Sequence, residues 1–428
     1  MVSDIIDNYY HFYSKNSFIS GTLSMRAMSQ RLCPFSFACV SCYLSAVLLV
    51  GCGGGAGGGS GSSGGPPSTL SAQAQLGEKI FADASLSQSG QISCATCHDP
   101  AHALASAVNE PVPIGGADLD VPGFRNAPSL RYTSLTPTFS FDGDGPVGGF
   151  DRDGRAPTLA EQARRPFLAE HEMANPSAAD VVEKLSAAAY ADEFKRVFGA
   201  DVFDQPDVAF DRALFALQRY ETEDKDFAPF DSKYDYFLAG RVQLSDAEMR
   251  GLALFNDPQK GNCAACHPSA RGTDGAPPLF TDFSYDNLGV PRNAAIPAND
   301  DPTYFDLGLC GPFRVDLATQ RDLCGAFKVP TLRNIAVTAP YFHNGRFATL
   351  TDALGFYVRR DTNPEEWYPL DTNGQVHKFD DLPPQYVVNV NTTEVPYNRH
   401  RGDAPALTPA EIDDVIAFLQ TLTDGYRP

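Results

Sequence analysis

A mainly α-helical protein built of two similar domains, related by internal duplication and joined by long loops, is the fold class that the 428-residue sequence predicts. Three observations carry that expectation. The motif Cys-x-x-Cys-His occurs twice, as CATCH at 94–98 and CAACH at 263–267. In the first half it is followed by RNAPSLRYT and then DGRAPTLAEQ; in the second, by KVPTLRNIAVT and then NGRFATLTDA, so matching segments recur in one order. Apolar residues recur at helical spacing in the segments between.

The elements follow in order. The first fifty residues read as an export signal: Arg26 and Arg31 precede the apolar run FACVSCYLSAVLLVG, too short to span a bilayer comfortably, which ends at Cys52. A basic stretch, an apolar core, small residues and then Cys is the form of a bacterial lipoprotein signal, so residues 1–52 are expected to be the signal and Cys52 the lipidated residue. The alternative is ordinary cleavage and release into the periplasm. Met25 or Met28 is the expected start. Residues 53–72, rich in Gly and Ser, form a flexible tether. The first domain is placed at 73–242 and the second at 243–428. TLSAQAQLGEKIF and LSDAEMRGLALF each open on Ser or Thr before helix formers and lead to a CxxCH. PSAADVVEKLSAAAYADEFKRVF and VAFDRALFALQRYETE carry helical periodicity, and LTPAEIDDVIAFLQTL closes the chain with a Thr cap and Pro in the first turn. The Gly-, Pro-, Asp- and Asn-rich stretches between are longer than ordinary connections and are expected to fold on an embedded cofactor.

Composition narrows the function. Thirty-three Lys and Arg face 53 Asp and Glu, a net charge of −20, which disfavours nucleic acid. Export opens an oxidising compartment, where Cys310 and Cys324 are paired as a disulfide closing a short loop; two free thiols are the alternative. The periplasm is the expected location, with contact to the membrane only through the lipid anchor.

Two cysteines three apart with His directly after the second fit c-type haem: Cys94 and Cys97, and Cys263 and Cys266, form thioethers, and His98 and His267 supply axial nitrogens. A zinc site normally repeats its Cys pair within about 12–20 residues, whereas Cys94 and Cys263 are 169 apart. Thioredoxin-like chemistry expects a βαβ pattern that the sequence lacks. The domains are thus expected to be cytochrome-c-like haem domains.

The order CxxCH, RNAPSL, DGRAPTLAEQA, HEM, second CxxCH and FKVPTLRNIAVTAPYFHNGRFATL resembles the bacterial di-haem cytochrome c peroxidase and MauG superfamily, over about residues 74–424. LCGPFRVDL, CGAFKVPTLRN and FYVRRDTNPEEWYP resemble the MbnH-type members more narrowly. The resemblance implies a peroxidase-type enzyme that reacts with hydrogen peroxide and uses high-valent haem iron to oxidise a residue, such as Trp, of a partner protein, the narrower match implying a copper-associated partner. An ordinary cytochrome c peroxidase, reducing peroxide to water with electrons from small cytochrome or copper-protein donors, is the alternative within enzymes; a di-haem electron carrier is the alternative outside them.

The resemblance also implies that the first domain reacts with peroxide and the second transfers electrons, and it assigns residues. Tyr357 aligns with the axial position of the second haem. Glu172 matches the distal glutamate that assists O–O cleavage, with Gln162 and Pro166 in the same pocket. Asn126, with the carbonyls of Thr338 and Pro340, matches a calcium site between the domains. No distal His is expected at the first haem: His102 is read as a packing or surface residue. His343 is read as a structural hydrogen-bonding residue, and His171, His377 and His400 as polar residues of surface or core. One departure stands out. Arg152, in GGFDRDGRA, occupies the place where the family sets a Trp between the haems, and the sole Trp is Trp367. Electrons must then pass by Phe150, a tyrosine or the haem edges.

Overall fold

The computed structural model describes residues 70–428, Asn109 excepted. The expected signal, Cys52 and the tether up to residue 69 lie outside the described residues. The described residues belong to one compact unit.

Helix α1 (Ala72–Ala82) starts at Ser71, whose hydroxyl accepts from the Ala74 N–H. The short α2 (Cys94–Cys97) is the first CxxC itself. Two-residue strands β1 (Ile114–Gly115) and β2 (Val121–Pro122), then β3 (Ser140–Phe141) and β4 (Pro146–Val147), form antiparallel pairs in the loops that follow. Next come α3 (Leu159–Leu168), α4 (Ala178–Ala187), α5 (Ala191–Phe198) and the long α6 (Pro206–Glu223). The helical run read from 176 to 198 is broken between α4 and α5: Ala188 is extended, and the Tyr190 hydroxyl is drawn off to Asp83, 2.7 Å away.

The second half opens with α7 (Lys233–Leu238) and α8 (Asp246–Asn256), the latter closed at its start by a reciprocal Ser245–Glu248 capping box. Residues 257–349 hold only 3₁₀ turns and the antiparallel pair β5 (Tyr285–Asp286) and β6 (Phe327–Lys328). Helix α9 (Leu350–Arg359) follows, and α10 (Pro409–Gln420) closes the chain with the Thr408 cap and Pro409 in its first turn.

Each half packs its opening helix against its closing one. Helix α1 crosses α6 at Gly77, where a Cβ would run into the Ala216 main chain and Tyr220; α8 crosses α10 at Gly251, where it would run into the Asp414 main chain and Phe418. Glycine costs about 1 kcal/mol inside a helix, and the close backbone approach is the reason to accept it. Around the first crossing lie Leu76, Ile80, Phe167, Phe210 and Leu217; around the second, Phe255, Phe280, Ile412, Val415 and Phe418.

Buried polar groups join the halves. The Arg125 guanidinium forks onto both oxygens of Asp306 at 2.6 and 2.7 Å, Arg314 donates to the Asp153 carbonyl at 2.8 Å, and the Tyr132 hydroxyl reaches Asp424 at 2.7 Å. Buried charges held by bidentate partners specify one docking geometry more than they add stability. Cys310 and Cys324 form a disulfide.

Candidate functional site

One cavity of about 510 Å³ runs along the inside of both halves, and both CxxCH motifs line it. The first motif is presented by a tight turn. Asp99 accepts from the Ala101 N–H at 2.9 Å, and its main chain pairs with Ala105. Ala103 and Leu104 both take left-handed conformations, φ 54° and 57°, which ordinary residues occupy only when their surroundings demand it. The outcome is a carbonyl aimed at His98: its Nδ1 lies 3.2 Å from the Leu104 oxygen and 3.0 Å from that of Pro128. Carbonyls only accept, so Nδ1 carries the proton and Nε2 keeps its lone pair for a metal. Burial pulls this imidazole down to about 4, keeping it neutral. His267 is held the same way, with Nδ1 2.7 Å from the Phe280 carbonyl, and burial lowers it too.

None of the four motif cysteines is in a disulfide. Burial pushes Cys94 up to about 12 and Cys97 to about 11, the carboxylates of Glu221 and Glu172 adding to the rise; Cys263 and Cys266 rise to about 12. Thiol–disulfide enzymes need the opposite shift. Among the described residues no group of three or more His, Cys, Asp and Glu could hold a metal ion by itself, so a zinc site lacks its ligand set. Neutral thiols in pairs, each beside an imidazole with a committed Nδ1 on a largely apolar wall, fit a covalently attached haem at each motif.

The walls around the two motifs differ. Glu172, Gln162 and Pro166 line the cavity together with His98. Helix α3 carries Gln162 and Pro166, and the turn after it carries Glu172. That turn is pressed against β1: the Gly116 N–H donates to the Glu172 carbonyl at 2.9 Å, and a side chain at Gly115 would strike the His171 and Glu172 main chain. Burial raises the Glu172 carboxyl, Arg165 opposes the rise, and its Oε2 is buried with no hydrogen-bond partner. His171, read from the sequence as a plain polar residue, lines this wall, with Nε2 3.6 Å from Glu172 Oε1 and its ring edge-on to Phe124. His102 is on the surface, 2.8 Å from Asp99. His377 and His400 are exposed.

The second motif faces phenols. Tyr357, on α9, lines the cavity, its hydroxyl makes no hydrogen bond among the described residues, and its ionisation is driven up first by burial and then by Cys263 and Cys266. Tyr397 lies beside it, ring centroids 6.1 Å apart. His343 stacks on Phe327 at 3.7 Å, and its main-chain carbonyl, not its ring, accepts from the Asn126 N–H at 2.8 Å.

The expected calcium site is occupied differently. Arg152 donates through Nε to the Asn126 main-chain oxygen at 3.0 Å and through Nη2 to Oδ1 at 2.8 Å. Both Asn126 oxygens are thus taken by a cation, and the residues do not fit a calcium ion as they stand. Thr338 and Pro340 line the cavity, as does Phe150. Trp367 lies apart, edge-on to Phe347 and Phe356.

Sequence reading missed Glu221 and Tyr397. Glu221 lines the cavity near Cys94, is 5% exposed, leaves Oε2 without a partner, and is raised to about 8 by burial alone. A signal existed: Ala209, Ala213, Leu217 and Glu221 recur every four residues on the buried side of α6. For Tyr397, in an irregular loop, no periodic signal exists.

A family model described as di-haem cytochrome c peroxidase matches residues 71–243. The methylamine utilization protein MauG of Paracoccus denitrificans is 36% identical over 366 residues, covering 83% of this chain and 90% of that one. Among solved structures, the diheme peroxidase BthA of Burkholderia thailandensis superposes with a TM-score of 0.76 at 41% identity, covering 82% of this chain and 86% of that one. A MauG-like protein associated with microbial copper homeostasis superposes with a TM-score of 0.60 at 27% identity, covering 83% and 91%. Identity to BthA is therefore higher than to the copper-associated protein, which weakens the narrower resemblance drawn from the sequence.

Proposed function

We infer, from the premise that this chain belongs to the di-haem cytochrome c peroxidase and MauG family, that it reacts with hydrogen peroxide at the His98 side and draws the electrons from a residue of a partner protein. The family makes it a peroxidase-type haem oxidoreductase with a protein redox partner or substrate. Two haem c groups are held through Cys94, Cys97 and His98, and through Cys263, Cys266 and His267. When bound, they supply peroxide activation at one iron and electron storage at both.

The chain's own residues do the rest. Glu172 Oε2 is buried, unpartnered and raised, so it takes a proton from peroxide and returns it to the departing oxygen. Arg165 and Arg155 face that carboxyl and favour its ionised form once the proton has left. The Gln162 amide orients the substrate, and Pro166, with no N–H of its own, gives the wall an inert surface. Near Cys263 and Cys266 Tyr357 offers the cavity an oxygen with no competing partner among the described residues, so it would be free to help hold the second haem. We read the two halves as copies of one haem domain, supported by their matching glycine crossings. We place the protein in the periplasm on a lipid anchor at Cys52, supported by the signal-like residues 1–52 and the Cys310–Cys324 disulfide.

The observation that carries this reading is that Glu172, Gln162 and Pro166 line the same cavity as His98, Glu172 with a buried, unpartnered oxygen. The test is to add one equivalent of hydrogen peroxide to the fully oxidised holoprotein and follow its absorption spectrum. Immediate reaction is expected, lost in Glu172→Gln. Reaction only after one-electron reduction would overturn the open first site. The 41% identity to a diheme peroxidase favours a second reading, reduction of peroxide to water by small electron donors. Steady turnover with a reduced small cytochrome selects it; added oxygen on a partner protein selects the first.

A further inference from the structure

We propose that Arg152 is a built-in cation that takes the place of the divalent ion expected at Asn126, so that this chain holds that site without calcium. A calcium ion gathers six to eight oxygens, with carboxylates or amides among them. Here the one amide in reach, Asn126, gives both of its oxygens to the Arg152 guanidinium. The neighbouring carboxylates are committed as well. Asp306 takes the fork of Arg125, and Asp153 Oδ2 takes Arg125 and Arg155 at 2.8 and 2.7 Å. What remains for a metal is a pair of neutral main-chain carbonyls, at Thr338 and Pro340.

Charge points the same way. Arg152 makes no ion pair of its own among the described residues. It sits with Arg125 and with Lys328, whose ammonium donates to the Gly149 carbonyl. Arg125 is neutralised by Asp306 and Asp153, but the Arg152 guanidinium, with no ion pair of its own, would stand against a doubly charged ion in a region of low dielectric, where like charges repel strongly. Arginine stays protonated at any physiological pH, so the substitute charge is permanent.

The halves are also linked at this point. The Arg152 side chain holds Asn126 of the first half, and its carbonyl accepts from the Lys328 N–H of the second at 2.9 Å. Asn126 in turn donates to the His343 carbonyl at 2.8 Å. The guanidinium thus fixes Asn126, while the main chains of Arg152 and Asn126 carry the link to the second half.

The test uses the full holoprotein, dialysed against EGTA or left untreated, with calcium per chain measured by elemental analysis and unfolding followed by scanning calorimetry. Substoichiometric calcium and a Tm unmoved by EGTA or by added calcium chloride are expected. One calcium per chain whose removal lowers the Tm would overturn the proposal. Arg152→Ala frees both Asn126 oxygens and removes the repelling charge. It is expected to unfold several degrees lower and to regain part of that loss in millimolar calcium, whereas indifference to calcium would mean that the position is not a cation site. Should Arg152→Ala fail to accumulate, Asn126→Asp serves: its new carboxylate is expected to pair with Arg152 and leave the chain calcium-free, and stoichiometric calcium uptake by it would overturn the proposal.

Discussion

The two CxxCH sites share an attachment and differ in what faces it. At His98 and His267 alike the Nδ1 proton is committed to backbone carbonyls and burial keeps the ring neutral. Near the first motif the cavity is lined by the carboxyls of Glu172 and Glu221, which can hold protons, and by the Gln162 amide; near the second it is lined by Tyr357 and Tyr397, groups that offer oxygen and stack. The two roles proposed for one motif therefore rest on side chains far away in sequence. The attachment alone says that a haem is present; the opposing wall says what it does.

The comparison can be broken at its sharpest difference first. Glu172→Gln keeps the shape of the first wall and removes its base. Peroxide consumption should fall about 10²–10⁴-fold with the absorption bands of both haems retained, as stopped-flow spectroscopy would record. An unchanged rate would leave the two walls functionally alike. The likeness of the halves is tested by Gly77→Val and Gly251→Val. Each forces a side chain into a neighbouring helix backbone, so each should lose roughly 3 kcal/mol in denaturant unfolding; a loss at only one would show that the crossings are not equivalent.

A smaller effect concerns Glu221, which has no counterpart among the residues assigned to the second wall. Its folded value of about 8 lies above the ordinary 4.5. The folded chain thus keeps a proton that the unfolded chain releases, and stability is full below 4.5 and falls as pH rises toward 8. Relative to Glu221→Gln, the wild type should lose on the order of 1 kcal/mol per pH unit across that window; parallel pH profiles would mean that the carboxyl finds a partner. Least affected should be the peroxide step in Tyr357→Phe, within about tenfold of wild type. The same variant should raise the reduction potential of the second haem in a spectroelectrochemical titration, because a phenolate favours ferric iron. A large loss of rate with an unmoved potential would take Tyr357 off the second iron.

How much of this was legible follows from which signals are local. Caps are local, so Ser71, Ser245 and Thr408 marked their helices in the sequence. Haem attachment is local, since CxxCH is one contiguous motif. Glu172 was legible only through resemblance, because a lone Glu in a polar run looks like surface; its unpartnered burial exists only in three dimensions. The 257–349 stretch had no periodicity to read, since it wraps a cavity and holds only one pair of two-residue strands and no long helix. Arg152 shows the limit best. Its departure from the family was visible, but its hold on Asn126, 26 positions earlier, was not.

The high proton affinity of the four motif thiols bears on how the molecule is assembled. In the haem-free chain the folded thiols rise to about 11 or 12, so almost none are thiolates at neutral pH. Such pairs close slowly into internal disulfides even in an oxidising compartment, and they are equally slow to be captured by stray oxidants. A chain that folds before it is loaded is thereby kept reduced, while Cys310 and Cys324 pair elsewhere. Thioether formation is then expected to be fastest while the chain is still open and its thiols keep their ordinary proton affinity, so the order of loading and folding sets how readily the haems are attached.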